Sequence, residues 1–282
     1  MDNTFWHISP VWENQIRKQY IQTAPGLWDR MIGEFQSGEY DNCFWLAGAS
    51  SYLLSMDGVP WMVDPVLKIP EVWNVCSPHL PRDLQSLSFI LYTHDHNDHY
   101  HPAFDQALTG LPVVRVVPKC MCGIYQEIGD TVYVSPGDCI TLDGFRITVL
   151  PGIHKDPEGK GPEAVQYLVE KDDRKLYFSG DVRNPDPTLV PDIGTVDCLF
   201  AHVFLGKSAA KKYPWPEWLE QVCTCIAATP AKRIFLGHLY EMMSESERLY
   251  TYMSAGAIMD GLTALCPLSD VVIPQLGRRY SL

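Results

Sequence analysis

The sequence predicts an α/β fold, and three features carry the prediction. Short apolar segments joined by tight polar turns are interspersed with helix-patterned segments along most of the chain. Two Asp-Gly pairs, Asp57-Gly58 and Asp143-Gly144, each sit between strand-like runs and mark β-hairpins. Several apolar segments end on a single His or Asp beside a glycine, at the strand ends where α/β folds place ligand-binding groups.

In chain order, residues 1–40 read as a helical extension packed on the main body. Val11 to Gln22 and Leu27 to Phe35 are helix-like, separated by Ala24-Pro25-Gly26. From Asp41 the texture changes to short strands. Ser51 to Ser55 and Pro60 to Val63 form the first hairpin around Asp57-Gly58, and Leu87 to Tyr92 reads as a buried strand. Pro102 to Leu108 is helical. Ile140 to Leu142 and Phe145 to Leu150 form the second hairpin around Asp143-Gly144. Tyr167 to Glu170 and Lys175 to Phe178 flank the polar turn Lys171 to Arg174, and Val196 to Phe200 is a further strand. Pro216 suits the first turn of a helix reaching Ala228, and Arg233 to Leu236 is apolar and strand-like. A last helix is expected from Ser244, with Glu247 completing a capping box. No repeat or Gly/Ser-rich linker interrupts 41–282, which reads as one domain.

Composition narrows the function. The 282 residues are 46% hydrophobic and carry a formal net charge of −12. That acidity disfavours binding to a phosphate backbone, which needs clustered Lys and Arg. No apolar stretch is long enough to span a bilayer, and Met1 to Pro10 show no signal-peptide pattern. The nine cysteines are scattered without zinc-finger spacing, so they are expected to be reduced thiols. The expected location is the cytoplasm, the expected partner is a small-molecule substrate, and a homo-oligomer is compatible with the composition.

The chemistry is concentrated in one segment. Residues 94–101 hold four histidines (His94, His96, His99, His101) and two aspartates (Asp95, Asp98), and packing needs none of them. Imidazole and carboxylate are the usual ligands of Zn²⁺ and similar first-row ions. His94 and His96, two apart on an extended loop, can grip one ion, while Asp98 and His99 turn toward a second. Elsewhere a short apolar strand repeatedly delivers one donor: His154 after Phe145 to Leu150, Asp181 in Ser179-Gly180-Asp181, and His238 in Gly237-His238.

These motifs resemble the metallo-β-lactamase superfamily, whose signature is H-x-H-x-D-H followed by a distant His, an Asp after Ser/Thr-Gly, and a final His. His94-Asp95-His96-Asn97-Asp98-His99, His154, Asp181 and His238 match it in order, and Asp64 in Val63-Asp64-Pro65 matches an upstream Asp at a hairpin strand end. The resemblance covers roughly Asp41 to the C-terminus. It implies an αββα sandwich with the site at one edge of the two sheets. It also implies two divalent ions, Zn first, with Mn or Fe served by the same donors. One ion would take His94, His96 and His154, and the other Asp98, His99 and His238. Asp181 would bridge them, and Asp64 would support the ligand loop from behind.

The expected reaction is hydrolysis of a small ester, lactone or phosphodiester. Two cations about 3.5–4 Å apart share a water whose pKa falls toward about 7, giving a bridging hydroxide as nucleophile. Asp98 is the candidate to orient that nucleophile or accept its proton. His202, at the end of the strand Val196 to Phe200, is expected in the pocket as a substrate contact or proton donor. Arg183 and Tyr240, just after the Asp181 and His238 motifs, are expected at its rim as substrate contacts. His101 is a weaker candidate, and Lys155, Lys160 and Lys207 are loop cations near the same edge.

Within the superfamily the motifs look most like the branch of the ascorbate-phosphate lactonases and related phosphodiesterases. A ribonuclease Z-like nuclease and an iron-dependent oxidoreductase are the alternatives. Acidity weighs against the first, and the second differs in chemistry while using similar ligands.

Overall fold

The computed structural model of the chain describes residues 10–205, 215–240 and 250–282. Their β-strands form two seven-stranded sheets stacked face to face. The first contains β1 (Cys43–Leu46), β2 (Tyr52–Met56), β3 (Val59–Val63), β4 (Phe89–Leu91), β5 (Val114–Pro118) and β6 (Thr131–Val134). The second contains β7 (Cys139–Leu142), β8 (Phe145–Pro151), β9 (Val165–Lys171), β10 (Arg174–Phe178), β11 (Val196–His202), β12 (Ala231–Gly237) and β13 (Asp270–Val272). The last strand, β14 (Arg279–Ser281), returns to the first sheet beside β1. Strand orders are β14-β1-β2-β3-β4-β5-β6 and β13-β12-β11-β10-β9-β8-β7.

Strand pairing makes the site possible. β3 and β4 are parallel, as are β10, β11 and β12. β8 is antiparallel to β9, and β9 to β10, so β8 runs with β10. The strands leading to Asp64, the 94–99 loop, His154, Asp181, His202 and His238 therefore share a direction within their own sheets. Asp57, Gly58, Asp143 and Gly144 all have positive φ, the backbone a two-residue hairpin turn requires.

Helices cover both outer faces, giving the αββα sandwich. The layer between the sheets is aromatic and aliphatic, with Phe44, Trp61, Phe89, Phe178 and Phe200 fully or nearly fully buried. The outer face of the first sheet packs on α1 (Pro10–Ser37), α2 (Pro70–Cys76), α3 (Leu80–Asp83) and α4 (Pro102–Ala107). The outer face of the second packs on α5 (Trp215–Ala227) and α6 (Tyr252–Leu265). Among the described residues, no helix is long and apolar enough to cross a membrane.

One detail differs from the sequence expectation. The N-terminal extension is one 28-residue helix running through Pro25, not two segments broken there. Proline removes one backbone donor. The apolar stripe of Ala24, Trp28, Met31, Ile32 and Phe35 nevertheless stays continuous against the core, and Trp28 Nε1 donates to Asp83 Oδ2 at 2.9 Å. The described C-terminal helix, α6, is capped by Thr251 with Ser254 in a capping box. A start at Ser244 with Glu247 lies outside the described residues, as does Lys207.

Candidate metal centre

Each donor is fixed by the end of its strand. Asp64 follows β3 with φ of 44°, and its N–H donates to Leu91 O at 3.0 Å, locking it beside the end of β4. The 94–99 loop then folds on itself, with the N–H groups of His99 and Tyr100 donating to His96 O. His154 leaves β8 through Gly152, where an added Cβ would lie 2.5 Å from Ala164 O; this tight approach admits only glycine without a shift. Gly180, at φ of 55°, turns the chain so that Asp181 enters the site. His238 adopts φ of 64° and donates its N–H to Ala49 O at 2.8 Å, which brings the loop after β1 under the centre.

The side chains converge on two points. His94, His96, His154 and Asp181 form one donor group and Asp98, His99, Asp181 and His238 the other, with donor atoms in each group within 4.8 Å of one another. Asp181 belongs to both groups, and its two oxygens face different ways. Oδ2 lies 3.6 Å from His154 Nε2 and 3.9 Å from His94 Nε2. Oδ1 lies 3.2 Å from His99 Nε2 and 3.4 Å from His238 Nε2. Asp98 Oδ2 completes the second group at 3.0 Å from His238 Nε2.

The residues fit metal ions. His94, His99 and His154 are fully buried, yet their Nε2 atoms have no hydrogen-bond partner. Buried polar nitrogens left unpaired are costly unless they serve as ligands. Imidazole and carboxylate donors suit Zn²⁺, Mn²⁺ and Fe²⁺.

Electrostatics agree with that fit. Burial, with His99 nearby, pushes His94 well below the ordinary histidine range. Burial and His154 likewise lower His96, so both are neutral donors at neutral pH. Against the effect of burial, Asp181, Asp64 and Asp98 raise His99 well above the ordinary value, and Asp181 with Asp98 raises His238. Against burial again, His99 and His238 hold Asp98 below the usual carboxylate range, and His238 with His99 holds Asp181 there. The two carboxylates thus demand positive charge at this spot. A divalent cation held by these residues would meet the demand in place of protons on the imidazoles.

Behind the donors lies a buried bracket. Asp64, fully buried, accepts from Thr93 N at 2.7 Å and Thr93 Oγ1 at 2.6 Å, and its Oδ2 lies 2.7 Å from His99 Nδ1. Thr93 Oγ1 also lies 3.0 Å from His94 Nδ1. One carboxylate and one hydroxyl therefore turn the Nε2 atoms of His99 and His94 toward the two donor groups. Ser50 Oγ donates to Asp98 O at 2.5 Å and fixes the loop from the other side.

Other expected residues occupy distinct places. His202 is in neither donor group; its Nδ1 lies 3.0 Å from Asp181 Oδ1, and its ring is sandwiched between the site and Tyr52. What the structure gives it is a hold on Asp181. Tyr240 shares a small groove with Asp98, Asn97 and Tyr20, and its hydroxyl accepts from Tyr252 N. Arg183 donates its backbone N–H to Ile153 O, tying the Asp181 loop to the His154 loop, while its guanidinium lies 5.7 Å from the Phe204 ring centre. His101 belongs to neither donor group, and its ring meets Trp73 edge-on at 4.7 Å. Sequence reasoning missed Thr93 and Ser50. Thr93 precedes the first ligand, but nothing local announces that it faces Asp64 across 29 residues.

Comparison with known proteins agrees with this geometry. The family model described as beta-lactamase superfamily domain matches residues 62–239. A UPF0173 metal-dependent hydrolase of Ruegeria pomeroyi is 28% identical over 151 residues, covering 49% of this chain and 61% of that protein. The chain thus spans under two thirds of that relative's length. Among solved structures, CmlA, a diiron β-hydroxylase from Streptomyces venezuelae, superposes with a TM-score of 0.64 at 14% identity, over 86% of this chain and 54% of that one. Igni18, a metallo hydrolase from Ignicoccus hospitalis, gives a TM-score of 0.60 at 14% identity, over 84% and 97%. At such identities the likeness is one of fold.

Proposed function

The chain belongs to the beta-lactamase superfamily domain family, and from that premise we propose that it is a metal-dependent hydrolase cleaving a small ester, lactone or phosphodiester. The observation that carries the reading is Asp181, whose two oxygens address two separate sets of imidazoles. A carboxylate so placed is suited to bridge two divalent ions, Zn²⁺ first by donor chemistry, with Mn²⁺ or Fe²⁺ compatible.

When bound, such a pair supplies Lewis acidity and lowers the pKa of water toward about 7. The chain's own residues do the rest. Asp64 and Thr93 hold His99 and His94 in the ligating orientation. His202 holds Asp181 against rotation. Asp98, whose side chain is 15% exposed where Asp181 is 5%, is the carboxylate open to the pocket. It is placed to accept a proton from the attacking water or orient it. Arg183 and Tyr240 are offered as contacts for the distal parts of the substrate. A net charge of −12 supports a small-molecule substrate over a nucleic acid.

The test is metal analysis of protein purified without added metal, joined to a screen of lactones, phosphodiesters and thioesters. The reading expects turnover of at least one class, lost on chelation and restored by a divalent ion. A fully metallated protein that hydrolyses none of them overturns it.

A further inference from the structure

A groove of about 390 Å³ opens between the two sheets, beside the metal centre and separate from it. That volume falls within the range of about 300–1,000 Å³ usual for small-molecule sites. Its floor is apolar: Pro118 and Val134 come from the ends of β5 and β6, and Pro151, Ile153 and Val165 from β8 and β9 with the loop between them. Leu189 adds an exposed apolar side chain at the mouth.

The groove is attached to the centre through backbone. Ile153 immediately precedes His154, and Val165 N–H donates at 3.0 Å to the carbonyl of Thr93, the residue before His94. Its wall is therefore one residue along the chain from His154 and one backbone hydrogen bond from the residue before His94.

Its charges are unequal in availability. Lys155 Nζ pairs with Glu163 Oε1 at 3.3 Å, and Asp156, which keeps its negative charge, accepts at Oδ1 from the backbone N–H of Lys160 at 2.8 Å. Lys119, next to Cys120 whose thiol donates to Glu163 O at 3.6 Å, is exposed and has no ion-pair partner among the described residues. An apolar trough with one uncommitted ammonium at its edge suits a ligand that is apolar along its length and anionic at one end.

We propose that this groove binds the apolar arm of an elongated anionic ligand, with its carboxylate or phosphate head on Lys119. The inference rests on the hydrolase reading in one respect only: the arm belongs to the substrate, on the side away from the bond to be cleaved.

The test uses decanoate and decanol as probes, measured by calorimetry on metal-loaded protein and on chelator-treated protein. Wild type binds both, and binding survives chelation. Lys119→Glu weakens decanoate by roughly tenfold and leaves decanol unchanged. Ser135→Trp, which fills the groove from its wall, removes both while metal content and melting temperature stay at wild-type values. Absence of decanoate binding to wild type, or equal binding to wild type and both variants, overturns the proposal. Binding that disappears on chelation and ignores Lys119→Glu also overturns it, because the carboxylate then sits on the metals. Groove binding that persists in a protein hydrolysing nothing would separate this inference from the hydrolase reading and leave the groove standing without a substrate role.

Discussion

Asp64 Oδ2 lies 2.7 Å from His99 Nδ1, and both side chains are fully buried. A carboxylate on one ring nitrogen fixes the tautomer, so Nε2 faces the second donor group with its lone pair. The same carboxylate takes both hydrogen bonds from Thr93, whose hydroxyl touches His94. One bracket thus sets a donor of each group.

Removing the bracket should weaken metal binding without removing a ligand. Asp64→Asn is expected to lower metal affinity by roughly 10–100-fold. Thr93→Val should act in the same direction, because it strips the hydroxyl and keeps the shape. Competition with a calibrated chelator measures both. Wild-type affinity in Asp64→Asn would show that His99 is oriented by something else.

His202 should be separable from metal retention. Its Nδ1 holds Asp181 Oδ1 at 3.0 Å, yet it contributes to neither donor group. His202→Ala is expected to keep its metal and lose turnover by roughly 10–100-fold. Loss of metal in step with turnover would make it a ligand, and unchanged turnover would leave it a packing residue.

Gly237 and Tyr52 should show strong coupling. A Cβ on Gly237 would fall 1.9 Å from the Tyr52 hydroxyl, which is buried without a hydrogen-bond partner. Gly237→Ala should destabilise the fold by about 1–3 kcal/mol through overpacking. Tyr52→Phe should be near neutral, since it deletes an unsatisfied buried hydroxyl. The double variant should recover much of the loss in thermal melts. Additive effects would place the two residues out of contact.

Binding to RNA is expected to be negligible at physiological salt, given the net charge of −12. Filter binding across a salt series checks this. Nanomolar affinity with a steep salt slope would favour the nuclease alternative.

The centre was legible in the sequence because its donors obey a local rule. His154, Asp181 and His238 each follow an apolar strand past a glycine, and His94 to His99 are contiguous. Hairpins were equally plain, since Asp-Gly turns encode their own backbone. What stayed hidden depends on distant partners. Thr93 matters through Asp64, and Ser50 through the carbonyl of Asp98. The continuity of α1 through Pro25 was hidden for the same reason: packing of Trp28 and Met31 on the core outweighs a local breaking signal. Short paired strands such as β13 and β14 carry little periodicity of their own and exist through their neighbours.

The central claim is that Asp181 joins two ion sites into one centre. The most direct measurement is metal stoichiometry, by elemental analysis after exhaustive dialysis, of wild type against Asp181→Ala with folding verified by circular dichroism. The account predicts two ions per chain in wild type and the loss of tight binding at both sites in the variant. Two ions held tightly by Asp181→Ala, or a single ion in fully loaded wild type, would contradict it.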